Sequence, residues 1–153
     1  MSQSTMYGWK IMVDTNIIFS FLRSEDSKIA AIIRYILRNH HLLLTDYIID
    51  ELKEKVREKM PEKEDVLMTF LNHLNIEILP HGFEVDEFAD LYLRDIKDVP
   101  ILATAIKNEA DALLTGDHDF LHMKGKSKLP VMILSVDEFI WIFGEAGLNQ
   151  YLK

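Results

Sequence analysis

The sequence predicts a three-layer α/β/α fold on a central, mainly parallel five-stranded sheet, and three observations carry that expectation. Short apolar runs alternate with stretches of helical periodicity over most of the 153 residues, the pattern that parallel crossover connections impose. The runs Ile11-Met12-Val13, Leu42-Leu43-Leu44 and Leu113-Leu114 are apolar at consecutive positions, as strands covered on both faces are. Several runs also hand over to an acid or a hydroxyl where the next helix begins, as at Asp14, Thr45 and Ser135, and such residues cap helices.

In chain order, Lys10 to Thr15 is the first strand, and Asn16 to Leu22 is a short helical or turning segment with Ile17, Ile18, Phe21 and Leu22 apolar. Beyond a polar break, Ile29, Ile32, Ile33, Ile36 and Leu37 recur at helical spacing and predict an amphipathic helix over Lys28 to Arg38. Leu42 to Leu44 is a buried strand. Thr45-Asp46 caps the following helix, which turns Ile48, Ile49, Leu52 and Val56 inward and stops at Met60-Pro61.

A further helix is expected with Val66, Leu67, Phe70, Leu71 and Leu74 on its face, leading into a strand over Ile76 to Leu79. Pro80-His81-Gly82 reads as a turn, Phe83 to Leu93 as helical and Arg94 to Lys97 as a polar link. A helix opens at Asp98 with Pro100 in its first turn, where a missing N–H does no harm. Ala112 to Thr115 is the fourth strand, Gly116 to Phe120 a loop, and Val131 to Leu134 the last strand. Ser135 and Glu138 form the signature of a capping box.

The length suits one domain, 1–153, with no repeat and no linker. With 48% hydrophobic and 27% charged residues, a disordered chain is excluded. No apolar run approaches the ~20 residues that span a bilayer. Met1 to Trp9 lacks the basic start and apolar middle of a signal peptide, so the cytoplasm is the expected location. The absence of cysteine excludes disulfides and thiolate metal sites, which leaves oxygen or imidazole as metal ligands. A net charge of -8 argues against a general, sequence-blind grip on nucleic acid. It does not exclude a nucleic-acid enzyme, because bound dications offset a local acidic cluster.

Ligands of open parallel sheets sit beyond the carboxyl ends of the strands, where strand order reverses. Asp14 and Asp117 follow strands, while Glu51 and Asp98 lie near helix starts on that same edge. Four acids far apart in sequence therefore have the means to meet. Clustered carboxylates repel one another unless a cation joins them, and a hard dication such as Mg2+ or Mn2+ answers that need. Such ions hold a scissile phosphate and lower the pKa of bound water, which is what phosphodiester hydrolysis requires. Each acid also has a structural explanation: Asp98 as a helix cap, Glu51 as a favourable charge near a helix start, Asp117 as a turn residue.

Val13-Asp14-Thr15-Asn16, the Glu51-Leu52 helix start after Thr45, Asp98-Val99-Pro100-Ile101-Leu102-Ala103-Thr104-Ala105 and Leu114-Thr115-Gly116-Asp117-His118-Asp119-Phe120 together resemble the PIN domain, the fold of metal-dependent ribonucleases. Order and approximate spacing agree over about Lys10 to Phe143. Within that family the chain resembles the prokaryotic VapC-like toxins of toxin–antitoxin pairs. The resemblance implies an endoribonuclease that hydrolyses RNA phosphodiester bonds with a water activated by Mg2+ or Mn2+. It makes Asp14, Glu51, Asp98 and Asp117 the catalytic, metal-binding acids, with Asp119 a lesser candidate ligand. Thr15 and Asn16 would orient Asp14 or the water, and Thr115 would support the Asp117 loop. An antitoxin protein and a second copy of the chain are the implied protein partners.

The alternative is a PIN-like fold that has lost cleavage and serves as a binding or scaffold module; the retained acids speak against it. A receiver-type phosphoacceptor domain would need an acidic pair at the first strand and a lysine after the last, and neither is evident. An aspartyl phosphatase would want an acid where Asn16 stands. His118 and His122 share the spacing of paired zinc ligands but fall in an expected loop. Lys124, Lys126 and Lys128 are candidate RNA phosphate contacts or simply a solvated loop. Phe139-Ile140-Trp141-Ile142-Phe143 is apolar all round and is either fully buried or half given to a dimer or antitoxin surface.

Overall fold

The chain winds outward from a central strand, then returns to that strand's other side and winds outward again. In the computed structural model, which describes residues 8–80, 98–121 and 129–153, the strands are β1 (Lys10–Val13), β2 (His41–Thr45), β3 (Ile76–Leu79), β4 (Ala112–Leu114) and β5 (Met132–Leu134). They form one sheet in the order β3-β2-β1-β4-β5, and every pairing is parallel. Strand order therefore reverses between β1 and β4, which is where an open α/β sheet offers its binding crevice.

The intervening helices are α1 (Thr15–Arg23), α2 (Lys28–Asn39), α3 (Asp46–Lys59), α4 (Glu64–Leu71), α5 (Asp98–Lys107), α6 (His118–Leu121) and α7 (Val136–Phe143). Their apolar stripes close on the sheet: Ile32, Ile33 and Ile36 of α2, Ile48 and Leu52 of α3 and Leu102 and Ala105 of α5 are buried against strands that are themselves buried on both faces. The capping box opens α7 as expected, with the Glu138 N–H donating to Ser135 Oγ at 3.2 Å and the Ser135 N–H donating to Glu138 Oε1 at 3.0 Å. Among the described residues no helix is long and apolar enough to cross a membrane.

Three local expectations change. β1 ends at Val13 and α1 begins at Thr15, because Asp14 caps the helix by accepting the Ile17 N–H at 3.1 Å. The segment after Gly116, expected as a loop, contains α6; the Leu121 N–H donates to the Asp117 carbonyl at 3.0 Å, and buried Phe120 anchors the turn. α4 buries Leu67 and Phe70 but leaves Val66 exposed. It stops at Leu71, where the Asn72 and His73 N–H groups close onto the Thr69 and Phe70 carbonyls, so Leu74 falls beyond the helix and is 98% exposed. The expectations for His81-Gly82, Phe83 to Leu93, Arg94 to Lys97, His122, Lys124, Lys126 and Lys128 lie outside the described residues.

The sheet edge at the amino ends of the strands is structural. There the Trp9 N–H donates to His40 Nδ1 and the Lys10 N–H to Asp111 Oδ2, each at 2.8 Å. Rings of Trp9, Tyr35, His40, Phe139 and Phe143 pack edge-to-face or tilted around His40 and Phe143. The apolar run of α7 thus divides: Phe139 and Phe143 are buried, Ile140 and Ile142 half-buried, and Trp141 is 86% exposed.

Candidate functional site

Register builds the opposite edge. Val13 pairs with Leu114, so the next residues, Asp14 and Thr115, leave the sheet side by side at the point of reversal. The Asp14 N–H extends the ladder by donating to the Leu114 carbonyl at 3.2 Å. Asp14 then uses both carboxylate oxygens: Oδ1 accepts the Ile17 N–H at 3.1 Å, and Oδ2 accepts the Thr115 hydroxyl. Thr115 Oγ1 in turn accepts the Asp117 N–H at 3.0 Å, which directs the hydroxyl proton towards Asp14. Capping and site-building are therefore two jobs of one side chain.

Asp14 is only 5% exposed and Thr115 is fully buried. Burial pushes the Asp14 carboxyl above its ordinary pKa, the Thr115 and Ile17 hydrogen bonds oppose that rise, and the charge of Asp117 adds to it. The two acids are thus close enough to repel each other.

Glu51 joins from the next strand–helix unit. Thr45 ends β2 and caps α3 by accepting the Ile48 N–H at 2.9 Å. Glu51, in the second turn of α3, accepts the Thr15 hydroxyl through Oε1 at 2.5 Å. Thr15 directly follows Asp14, so Glu51 is tied to the same short run that carries the buried acid. Asp98 is the first residue of α5 and Asp119 lies within α6; their side chains lie outside the described atoms. His118, the first residue of α6, is exposed. A Cβ placed on Gly116 would meet nothing within 4 Å, so the chain is open to solvent beside Asp117.

Asn16 contributes in two ways. Its backbone N–H supports Asp14, but its side-chain Oδ1 accepts the Lys55 ammonium at 2.7 Å. Lys55, which the motifs do not single out, also stands 4.9 Å from the centre of the Phe19 ring. The available signal was its place four residues after Glu51 on one helix, the spacing of side chains that share a face.

The donors at this edge are anionic and hydroxyl oxygens. The ion pairs among the described residues are Lys28–Asp137 and Arg57–Glu64, so Asp14 and Glu51 are held by hydroxyl and amide donors and not by cations. A buried carboxylate facing a second acid is the chemistry that a hard dication relieves, and this donor set fits one. The described side chains do not by themselves bring three acids or imidazoles around one point.

No curated protein matches the sequence. Among solved structures, the fold is similar to a chain in the crystal structure of VapBC2 from Rickettsia felis bound to a DNA fragment from their promoter. The TM-score is 0.64 at 17% identity, over 82% of this chain and 98% of that one, a likeness of fold. The family model of the PIN domain matches residues 10–119. That span opens with β1, reaches into α6 and includes all five acids described above, so the chain belongs to the PIN domain family.

Proposed function

We propose that the protein is an endoribonuclease dependent on Mg2+ or Mn2+ that hydrolyses RNA phosphodiester bonds, and that it acts as the toxin of a toxin–antitoxin pair. The observation that carries the reading is the buried Asp14 carboxylate, held by Thr115 at the reversal of strand order and raised in pKa by burial and by Asp117. Asp14, Glu51, Asp98 and Asp117 would hold the ion, with Asp119 an additional candidate. A dication bound there supplies positive charge for the scissile phosphate and acidifies water within its reach.

The chain's own residues prepare that site. Thr115 and the Ile17 N–H fix the two Asp14 oxygens, so the carboxylate meets a cation without rearranging. Thr15 does the same for Glu51. The apolar ends of β1 and β4 keep water from one side of Asp14 and strengthen its field. The toxin role is supported by the VapC-like order of motifs and by the fold shared with a chain of VapBC2. An antitoxin protein and a second copy of this chain are the proposed protein partners, with exposed Trp141 as the apolar element for one of them.

A labelled single-stranded RNA incubated with the protein tests the reading. Cleavage is expected with Mg2+ or Mn2+ and not with a chelator, and it should disappear in Asp14→Asn and in Asp98→Asn. An Asp14→Asn protein that cuts as well as the wild type would overturn the assignment.

A further inference from the structure

Lys55 has a setting that the acids do not explain. It lies four residues after Glu51 on α3, with Glu58 three residues further on, so carboxylates flank it at both helical neighbour spacings. Lysines so placed commonly pair with one of those acids. Lys55 does not: the ion pairs among the described residues leave it out, and Glu51 takes the Thr15 hydroxyl. Its ammonium instead reaches 39 residues back in sequence, to Asn16 Oδ1, and rests over the Phe19 ring. Arg57, two residues on, makes the contrast, because it is paired with Glu64.

A neutral amide and a ring face fix a lysine in place without cancelling its charge. An ammonium has three N–H donors, and Asn16 takes one of them. Lys55 is thus a positioned, unneutralised cation in a chain of net charge -8, one helical turn from Glu51 and tethered to the residue two places after Asp14. A nuclease built on acids has a difficulty that this placement answers. A dication among the carboxylates can neutralise the scissile phosphate, but the neighbouring phosphates of the strand still face a negative rim.

We propose that Lys55 is a phosphate-binding residue that holds the RNA strand at a phosphate adjacent to the scissile one, with Asn16 and Phe19 presenting it. This rests on the endoribonuclease reading. Lys55 contributes grip and register and takes no part in bond cleavage. It differs from Lys53 and Lys59 of the same helix, which are exposed side chains.

Initial rates on a single-stranded RNA oligonucleotide, measured against KCl concentration at fixed Mg2+, test the proposal in wild type, Lys55→Met and Lys55→Arg. Loss of one charge-assisted contact should raise KM about tenfold in Lys55→Met, with kcat little changed. The slope of log(kcat/KM) against log[KCl] should flatten by about 0.7, the value for one phosphate contact on a single strand. Lys55→Arg should restore both. A purely structural lysine would lower the melting temperature and leave the salt slope alone, and an unchanged slope and KM in Lys55→Met would overturn the assignment while wild-type cleavage stood. A wild-type protein that cuts no RNA would remove the endoribonuclease reading and this inference with it.

Discussion

Thr115 donates its hydroxyl to Asp14 across the seam between β1 and β4, joining residues 101 positions apart where the strand order turns back on itself. The same oxygen accepts the Asp117 N–H, so one buried hydroxyl sets the direction of one acid and the backbone of another. Thr115→Val keeps the shape and removes both interactions. On the proposed function, cleavage should fall about 10–100-fold, the usual effect of losing a partner that orients a metal-binding side chain. Stability should fall by about 1–3 kcal/mol, because buried polar groups lose their partner. Thr115→Ser should recover most of the activity; RNA cleavage and urea denaturation of the three proteins check this.

The two faces of α7 should behave differently. Phe139 is fully buried and packs against Phe143 at 4.5 Å between ring centres, whereas Trp141 points outward. Phe139→Ala should destabilise by about 3–5 kcal/mol through the cavity it leaves. Trp141→Ala should stay within about 0.5 kcal/mol, as surface changes do. If Trp141 serves the proposed homodimer, Trp141→Ala should also lower the mass found by light scattering, and a wild type that is already monomeric would remove that role.

His40 makes stability depend on pH. Burial, reinforced by the charge of His41, lowers its pKa from 6.5 to about 4. Its Nδ1 accepts the Trp9 N–H, so the neutral ring carries its proton on Nε2, which is buried without a partner among the described residues. Between about pH 4 and 6.5 the unfolded chain binds a proton at this site that the folded chain does not. The His40 contribution to stability therefore rises with pH across that window and is lost on acidification. Denaturation midpoints measured from pH 4 to 7 should climb less steeply in His40→Asn, which keeps an acceptor for Trp9; an identical climb would count against a neutral, buried His40.

Much of this architecture was legible because its signals are local. Consecutive apolar residues at Ile11 to Val13 and Leu42 to Leu44 mark buried parallel strands, and the hydroxyls at Thr45 and Ser135 mark the helix starts, all as observed. Asp14 posed a choice between cap and ligand that a sequence cannot decide, and the side chain turns out to cap α1 with one oxygen while the other meets Thr115. What was not legible depends on packing between segments. Lys55 sits among alternating charges that look like a solvated face, and only the packing of α1 on α3 brings Asn16 and Phe19 to it. Leu74 continues the periodicity of α4 on paper, but periodicity does not report where a helix stops. The turn of α6 escaped for a related reason: four residues are too few to show a period, and it is the burial of Phe120 in the core that anchors them.

Calorimetric titration of Mn2+ into the wild type and into an Asp14→Asn, Asp98→Asn double variant decides whether the acids of the proposed site hold a dication. A binding isotherm is expected for the wild type and none for the double variant, with both proteins folded by circular dichroism. Equal binding by the two, or no binding by either, would contradict it and leave Asp14 as a helix cap.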